Sequence, residues 1–192
     1  VSEKECPFCQ IEKQDPPTLI LSNGKKRGTS SVPTDWTTIV FPNKYPAFIK
    51  AEDSDERFEG PLYKVMNAVG FHEVVVTRDH KKQIADFNKA EAKELFDAYQ
   101  QRYLAMMKER FVNYISIFHN HGSSAGASVS HPHSQIITTP LIDADLRNAL
   151  NNAQNYYEKN QKCLYCQMNK WEQEVKERIV FEEGALEQIA VP

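Results

Sequence analysis

The chain has 192 residues, of which 41% are hydrophobic, and a formal net charge of -3 at pH 7. This size suits one hydrophobic core, or one complete domain with part of another. Such a charge provides no basic field for nucleic acid, and no apolar run has the length of a membrane helix or the pattern of a signal peptide. We therefore expect a cytoplasmic globular protein with no nucleic-acid or membrane partner. Val1 and the extended-looking Ala190-Val191-Pro192 lead us to expect that both ends are cut.

The first half of the sequence alternates apolar runs with polar stretches. Residues 10–37 are rich in Pro, Ser, Thr, Gly and Lys and contain the turn Asn23-Gly24, so we predict a long loop. Residues 38–41 form a short apolar run that ends at Pro42. Residues 51–60 are acidic and predict an irregular surface loop. The β-branched run at residues 71–77 predicts a strand.

The second half predicts two helices and two further strands. Asn88 and Glu91 form a capping-box pattern, and apolar residues then recur at helical spacing to about Arg110. Residues 114–118 and 135–138 are predicted strands, and a second helix is predicted over residues 145–159. Strands joined by tight turns, with helices between them, predict an α+β fold with a mainly antiparallel sheet and helices packed on it.

Two segments of the chain resemble each other. Residues 6–10 and 163–167 each contain Cys-x-x-Cys followed by Gln, and the apolar run at 38–41 is answered by one at 178–181. Such matching flanks suggest an internal duplication. We predict one complete unit over residues 1–158, and the beginning of a second, truncated repeat over residues 159–192.

The four cysteines predict a zinc site. They form two Cys-x-x-Cys pairs in a chain without a secretion signal, which favours metal binding over disulfides. Tetrahedral zinc needs two further sulfur or nitrogen ligands beside Cys6 and Cys9. Either Cys163 and Cys166 supply them, although far away in the sequence, or two histidines do, with His80 and His131 the best placed.

The most informative segment is residues 118–135. It contains four of the six histidines among glycine, serine and alanine, and a backbone so free of side chains can approach a ligand and offer N-H groups to an anion. His131 and His133 flank a proline and lie on the same side of an extended chain. We therefore expect a bound phosphate here, with one imidazole directed at its phosphorus.

These motifs together resemble one family of the histidine-triad superfamily. They are Cys6-x-x-Cys9, the run VFPNKYPA at residues 40–47, the run GFHEVVV at residues 70–76 with Asp79-His80 after it, and Asn120-x-Gly122 followed by HPHSQ at residues 131–135. This combination is similar to galactose-1-phosphate uridylyltransferases. The resemblance implies a fold like that of the histidine-triad proteins.

The resemblance also implies a covalent reaction. His133 would attack the α-phosphorus of a UDP-hexose, release a hexose 1-phosphate, and pass the UMP group to a second hexose 1-phosphate, a step of galactose metabolism. The other ring N-H of His133 would be held by a backbone carbonyl. Gln135 occupies a position where hydrolases of the superfamily carry histidine, which favours transfer over hydrolysis.

The remaining assignments are likewise implied by the resemblance. Those for substrate are Asn120, Gly126, Ser128 and Gln135 at the phosphates, and Phe41 and Asn43 at the nucleoside. Those for structural zinc are Cys6, Cys9, His80 and His131. The full-length protein would be a homodimer. The family gives no role to His72, His119 and His121, which we interpret as polar surface or supporting residues.

Three departures from the family keep other functions open. Ala127 stands where some relatives have cysteine, Lys44 stands where some have aspartate, and the chain is short. The alternatives are an adenylyltransferase similar to ADP-glucose phosphorylase, and a non-catalytic, zinc-stabilised nucleotide-binding module.

Overall fold

The structure is a computed structural model that describes residues 2–51, 55–183 and 187–190, with only the backbone described from residue 181 onward. It divides into two compact units, Val1–Leu141 and Ile142–Pro192. Within the described residues, no helix is both long and apolar enough to cross a bilayer. The proposed repeat boundary at residue 159 stays a prediction.

The first unit is built on one antiparallel sheet of six strands in the order β2-β1-β3-β6-β8-β7. The strands are β1 (Leu19–Ser22), β2 (Lys25–Arg27), β3 (Thr38–Pro42), β6 (His72–Thr77), β7 (Tyr114–His119) and β8 (His133–Thr139). A separate hairpin consists of β4 (Glu56–Glu59) and β5 (Tyr63–Met66). The predicted α+β class with a mainly antiparallel sheet is confirmed.

Helix α1 (Lys89–Met106) packs on one face of this sheet. Its first turn is fixed by the predicted capping box, in which the Asn88 side chain accepts from the Glu91 backbone N-H and the Glu91 carboxylate accepts from the Asn88 backbone N-H. The helix ends about four residues before the predicted Arg110.

The alternation of side chains along the strands gives the sheet two different faces. Val40, Val75 and Ile136 point toward α1 and form one core with it. Their neighbours point the other way, where the N-terminal segment carrying Cys6 and Phe8 covers the sheet and forms the second core. His133 and Gln135 share the parity of this second face, because each is an odd number of residues from Ile136.

A buried ion pair joins the sheet to α1. Arg102 donates two hydrogen bonds of 2.7 Å each to the Glu73 carboxylate on β6, and the two side chains are only 17% and 4% exposed.

The backbone of Gly70 lies close to β8 and leaves no room for a side chain. A Cβ at this position would lie 2.1 Å from the carbonyl oxygen of Thr138.

Two predicted loops contain strands, so these predictions are wrong. Within residues 10–37, β1 and β2 form a hairpin, and Asn23-Gly24 is its turn with both residues at positive φ. An Asn-Gly pair between strands favours this tight turn, and the apolar run at residues 19–21 supplies a fully buried strand. In the acidic segment, residues 56–59 form the exposed strand β4, and residues 52–54 lie outside the described part.

The second unit contains α2 (Ala144–Asn160), α3 (Leu164–Val175), β9 (Ile179–Glu183) and β10 (Glu187–Ala190). The predicted helix at residues 145–159 is confirmed, with Asp143 as its N-cap. The strands β9 and β10 pair antiparallel. Cys163 and Cys166 are exposed at the start of α3.

Candidate active site and metal centre

Four of the predicted metal ligands lie together on the second face of the sheet. The ligand atoms of Cys6, Cys9, His80 and His131 are all within 4.8 Å of one another. The Cys-x-x-Cys turn supplies the sulfur atoms, His80 follows the end of β6, and His131 precedes β8. Of the two predicted ways to complete the site, the structure brings together the one with two histidines.

The hydrogen bonds of His131 prepare it to bind a cation. Its Nε2 lies 2.7 Å from the carbonyl oxygen of Thr77, which can only accept, so Nε2 carries the proton. The lone pair is therefore on Nδ1, which lies 3.6 Å from Cys6 Sγ and 3.5 Å from Cys9 Sγ. Burial lowers the pKa of His131, which favours the neutral, ligating form.

The thiol of Cys9 lies in an environment that disfavours its negative charge. Burial, the hydrogen bond with Cys6 and the nearby Cys6 and Glu3 charges raise the pKa of Cys9 to about 11. A divalent cation reverses this effect, because it deprotonates a coordinating thiol. Two sulfur and two imidazole ligands in a closed group fit tetrahedral zinc. The four residues can therefore hold a metal ion of this kind.

His133 lies two residues beyond this cluster, at the first position of β8. Its Nδ1 is 2.9 Å from the carbonyl oxygen of His131, which fixes the proton on Nδ1 and leaves the lone pair on Nε2. His133 is 8% exposed, and its ring packs against the Phe8 ring, with 4.9 Å between the ring centroids. In the neutral ring the proton is thus held on Nδ1, and Nε2 is the nitrogen available.

His133 borders a cavity of about 450 Å³. Four other predicted site residues line the same cavity: Phe41, Asn43, Ser128 and Gln135. Lys13, Lys44 and Glu5 also line it, so the two lysines leave the lining with a net positive charge, which suits a phosphorylated ligand. This volume lies within the range of small-molecule sites.

Asn120 and Gly126 lie apart from this cavity. Asn120 lines a separate space of about 390 Å³ that shares Ser128 with the first. A Cβ at Gly126 would lie 3.8 Å from the Asn120 side-chain nitrogen, so these two residues are neighbours, and Gly126 has φ +85°. The structure therefore divides the six predicted substrate residues between two adjoining regions.

The three histidines without an implied role differ in their surroundings. His72 is half-buried and contacts Gln135 and Asn43 in the cavity. His119 is half-buried behind the site, with Nδ1 3.1 Å from Ser134 Oγ, and burial lowers its pKa. His121 is exposed and contacts Gln83.

Sequence reasoning missed Phe8 and gave His72 no specific role in the site. Phe8 lies between the two cysteines, and its contact with His133 depends on how the N-terminal segment crosses the sheet. His72 could have been found by parity, because it is two residues from Val74 on β6 and therefore faces the same side.

Comparison with known proteins places these features in one family. The profile of the galactose-1-phosphate uridyl transferase N-terminal domain matches residues 3–143. The chain is 31% identical over 165 residues to an ADP-glucose phosphorylase from Arabidopsis thaliana, covering 84% of this chain and 45% of the relative. It is 28% identical over 182 residues to a galactose-1-phosphate uridylyltransferase from Thermotoga maritima, covering 94% and 51%.

Two solved structures resemble this chain closely enough to compare their folds. A GALT-like protein from Arabidopsis thaliana gives a TM-score of 0.72 at 27% identity, covering 93% of this chain and 53% of that one. An ADP-glucose phosphorylase from the same organism, with bound ADP-glucose, gives 0.71 at 25% identity, covering 94% and 52%. The chain spans about half the length of the curated relatives described above.

Proposed function

The chain belongs to the galactose-1-phosphate uridyl transferase family, and we propose that it moves a nucleoside monophosphate between sugar nucleotide and sugar phosphate through a covalent adduct on His133. One observation carries this proposal: the His131 carbonyl oxygen holds Nδ1-H of His133, so that Nε2 presents a lone pair beside the cavity. A nucleophilic imidazole needs this neutral tautomer.

In the proposed first step, Nε2 attacks the α-phosphorus of a UDP-hexose and forms a P-N bond. The bond from the α-phosphorus to the bridging oxygen breaks, and hexose 1-phosphate leaves with the electron pair. The ring becomes positively charged, and the His131 carbonyl oxygen stabilises this charge through the Nδ1-H bond. A phosphate oxygen of a second hexose 1-phosphate then displaces the imidazole, which returns to its neutral form.

Around the reacting phosphate, we assign hydrogen-bond donation to Gln135 and Ser128, which line the cavity with His133. Phe41 and Asn43 line the same cavity and are assigned to the nucleoside. Asn120 and Gly126, which lie on the loop that joins β7 to β8, are assigned to the second phosphate of the sugar nucleotide. A neutral amide at position 135 can neither protonate a leaving group nor act as a base toward water. This agrees with transfer rather than hydrolysis.

We propose that Cys6, Cys9, His80 and His131 hold a structural zinc ion. Through such an ion, Cys6 and Cys9 of the N-terminal segment would be tied to His80, just after β6, and to His131, two places before His133. Because the four ligands come from distant parts of the chain, metal binding would contribute to the free energy of folding. The ion would fix the position of His131, whose carbonyl oxygen orients His133.

The second candidate is transfer of AMP from ADP-glucose, with phosphate as the acceptor. Its support is the 31% identity to an ADP-glucose phosphorylase over 84% of this chain. The chemistry at His133 is the same in both cases, and only the base and the acceptor differ. For the full-length protein we propose a homodimer acting in the cytoplasm on UDP-hexose and hexose 1-phosphate, in galactose metabolism.

The test is to incubate the full-length protein with UDP-glucose or ADP-glucose carrying radioactive phosphorus at the α position. We expect an acid-labile label on His133, stronger with UDP-glucose. The control is His133→Asn, because asparagine retains an N-H donor for the His131 carbonyl oxygen but has no nucleophilic nitrogen. A folded protein that takes no label from either compound would contradict the proposal and favour a non-catalytic nucleotide-binding module.

A further inference from the structure

His72 lies at the start of β6 and contacts three groups at the edge of the cavity. Its Nδ1 is 3.0 Å from the backbone nitrogen of Ala47. Its Nε2 is 2.7 Å from Oε1 of Gln135 and 3.0 Å from Nδ2 of Asn43. The backbone of the same residue is also fixed, because the Asn43 backbone N-H donates to the His72 carbonyl oxygen at 2.8 Å.

The contact with Ala47 determines which ring nitrogen carries the proton. A backbone N-H can only donate, so Nδ1 of His72 accepts and has no hydrogen. In a neutral imidazole the other nitrogen is then protonated, and Nε2-H can donate. Of its two neighbours, Oε1 of Gln135 is the acceptor. The direction of these hydrogen bonds is therefore set by the Ala47 backbone N-H, which can only donate.

The same contact determines the orientation of the Gln135 amide. With Oε1 bound to His72, the two N-H donors lie at the opposite end of the group, and among the described residues no protein acceptor is hydrogen-bonded to them. Asn43 is fixed similarly, since its Oδ1 accepts from the Tyr45 backbone N-H at 2.9 Å. The Nε2-H of His72 is thus used by Gln135, and the NH2 group of Gln135, which lines the cavity, is the donor left for a ligand. Such a donor favours a negatively charged oxygen as ligand.

We propose that His72 is a positioning residue, which holds the Gln135 amide so that its NH2 group donates to the phosphoryl oxygens during transfer to His133. This inference rests on the proposed function. Without His72, the amide can rotate by half a turn and direct its carbonyl oxygen at the phosphate, where it repels the charge. His72 acts through Gln135, so its effect depends on that side chain being present.

The test measures the single-turnover rate of His133 labelling by UDP-glucose in the full-length protein. His72→Phe keeps an aromatic ring but removes both ring nitrogens, and we expect a rate loss of about 10–100-fold. His72→Gln restores an N-H donor near the position of Nε2 and should recover most of the rate. In a Gln135→Ala background, His72→Phe should cost little more, because the two residues act as one unit.

Three controls separate this role from a general effect on folding. Tyr114→Phe on β7 also removes a polar atom from a ring on the sheet, and should leave the rate unchanged. Thermal unfolding should report a folded protein for each variant. The ring ¹⁵N chemical shifts of His72 should report the tautomer protonated at Nε2, whether or not the protein reacts.

Each outcome decides between the two proposals. Labelled wild-type protein with equal losses from His72→Phe in both backgrounds would overturn the positioning role alone. A tautomer protonated at Nδ1 would also overturn it. A wild-type protein that takes no label would overturn the proposed function, and the positioning role with it.

Discussion

Replacing Arg102 with methionine should destabilise the first unit far more than the loss of a surface ion pair does. Methionine retains most of the aliphatic stem of arginine. It removes the cation from the Glu73 carboxylate, whose side chain is only 4% exposed. Removing one partner of such a buried pair costs about 3–5 kcal/mol. The Lys93–Asp97 pair on the same helix is 72% and 31% exposed, so Lys93→Met should cost only about 0.2–1 kcal/mol.

The assay is urea unfolding followed by tryptophan fluorescence. The chain has two tryptophans, Trp36 in the first unit and Trp171 in the second, so a Trp171→Phe background makes the signal report the first unit. With an ordinary urea dependence, Arg102→Met should lower the midpoint by about 1–3 M. Replacing Glu73 by methionine as well should recover much of the loss, because no charge then remains buried.

Two results would refute this reasoning. The first is an Arg102→Met variant that is no less stable than Lys93→Met. The second is a double variant that is as unstable as Arg102→Met, since that would assign the loss to packing and not to the unpaired charge.

Three further predictions concern other parts of the first unit. Gly70→Ala should prevent stable folding, because its Cβ would lie 2.1 Å from the carbonyl oxygen of Thr138, whereas Gly28→Ala, with no atom within 4 Å, should have the thermal stability of the wild type. Burial lowers the pKa of His119 below its ordinary 6.5, so the unfolded chain takes up this proton more readily and stability should fall as the pH drops below about 6.5. Urea unfolding at several pH values should show that the free energy of unfolding falls less steeply with decreasing pH in His119→Gln. An unchanged slope would contradict the assignment of this loss to His119. Cys9→Ser should lower both the bound zinc, measured by elemental analysis, and the unfolding temperature; a variant with full metal content would argue that the sulfur is not a ligand.

Much of the fold could be predicted from the sequence because its strongest signals are local. The capping box at Asn88 and the helical spacing after it depend only on neighbouring residues, and the same is true of the β-branched run in β6. The β1–β2 hairpin was missed because its turn lies in a segment of loop-like composition. There, tertiary burial of three apolar residues outweighs the composition around them.

The candidate site was predicted less evenly. The grouping of Cys6 and Cys9 with two histidines follows from motifs, but which histidines complete the group depends on the ends of β6 and β8 meeting on one face. The role of His72 could not be predicted from spacing alone. It depends on the Ala47 backbone N-H reaching the ring from a loop, which is a contact between segments 25 residues apart in the chain.

The measurement that tests the central claim most directly is the position of the nucleotide on the imidazole ring. The adduct formed with a sugar nucleotide can be isolated, and ¹H–³¹P correlation spectra distinguish the two ring nitrogens. With Nδ1-H held by the His131 carbonyl oxygen, the account predicts phosphorus on Nε2 of His133. Phosphorus on Nδ1, or on any other residue, would contradict it.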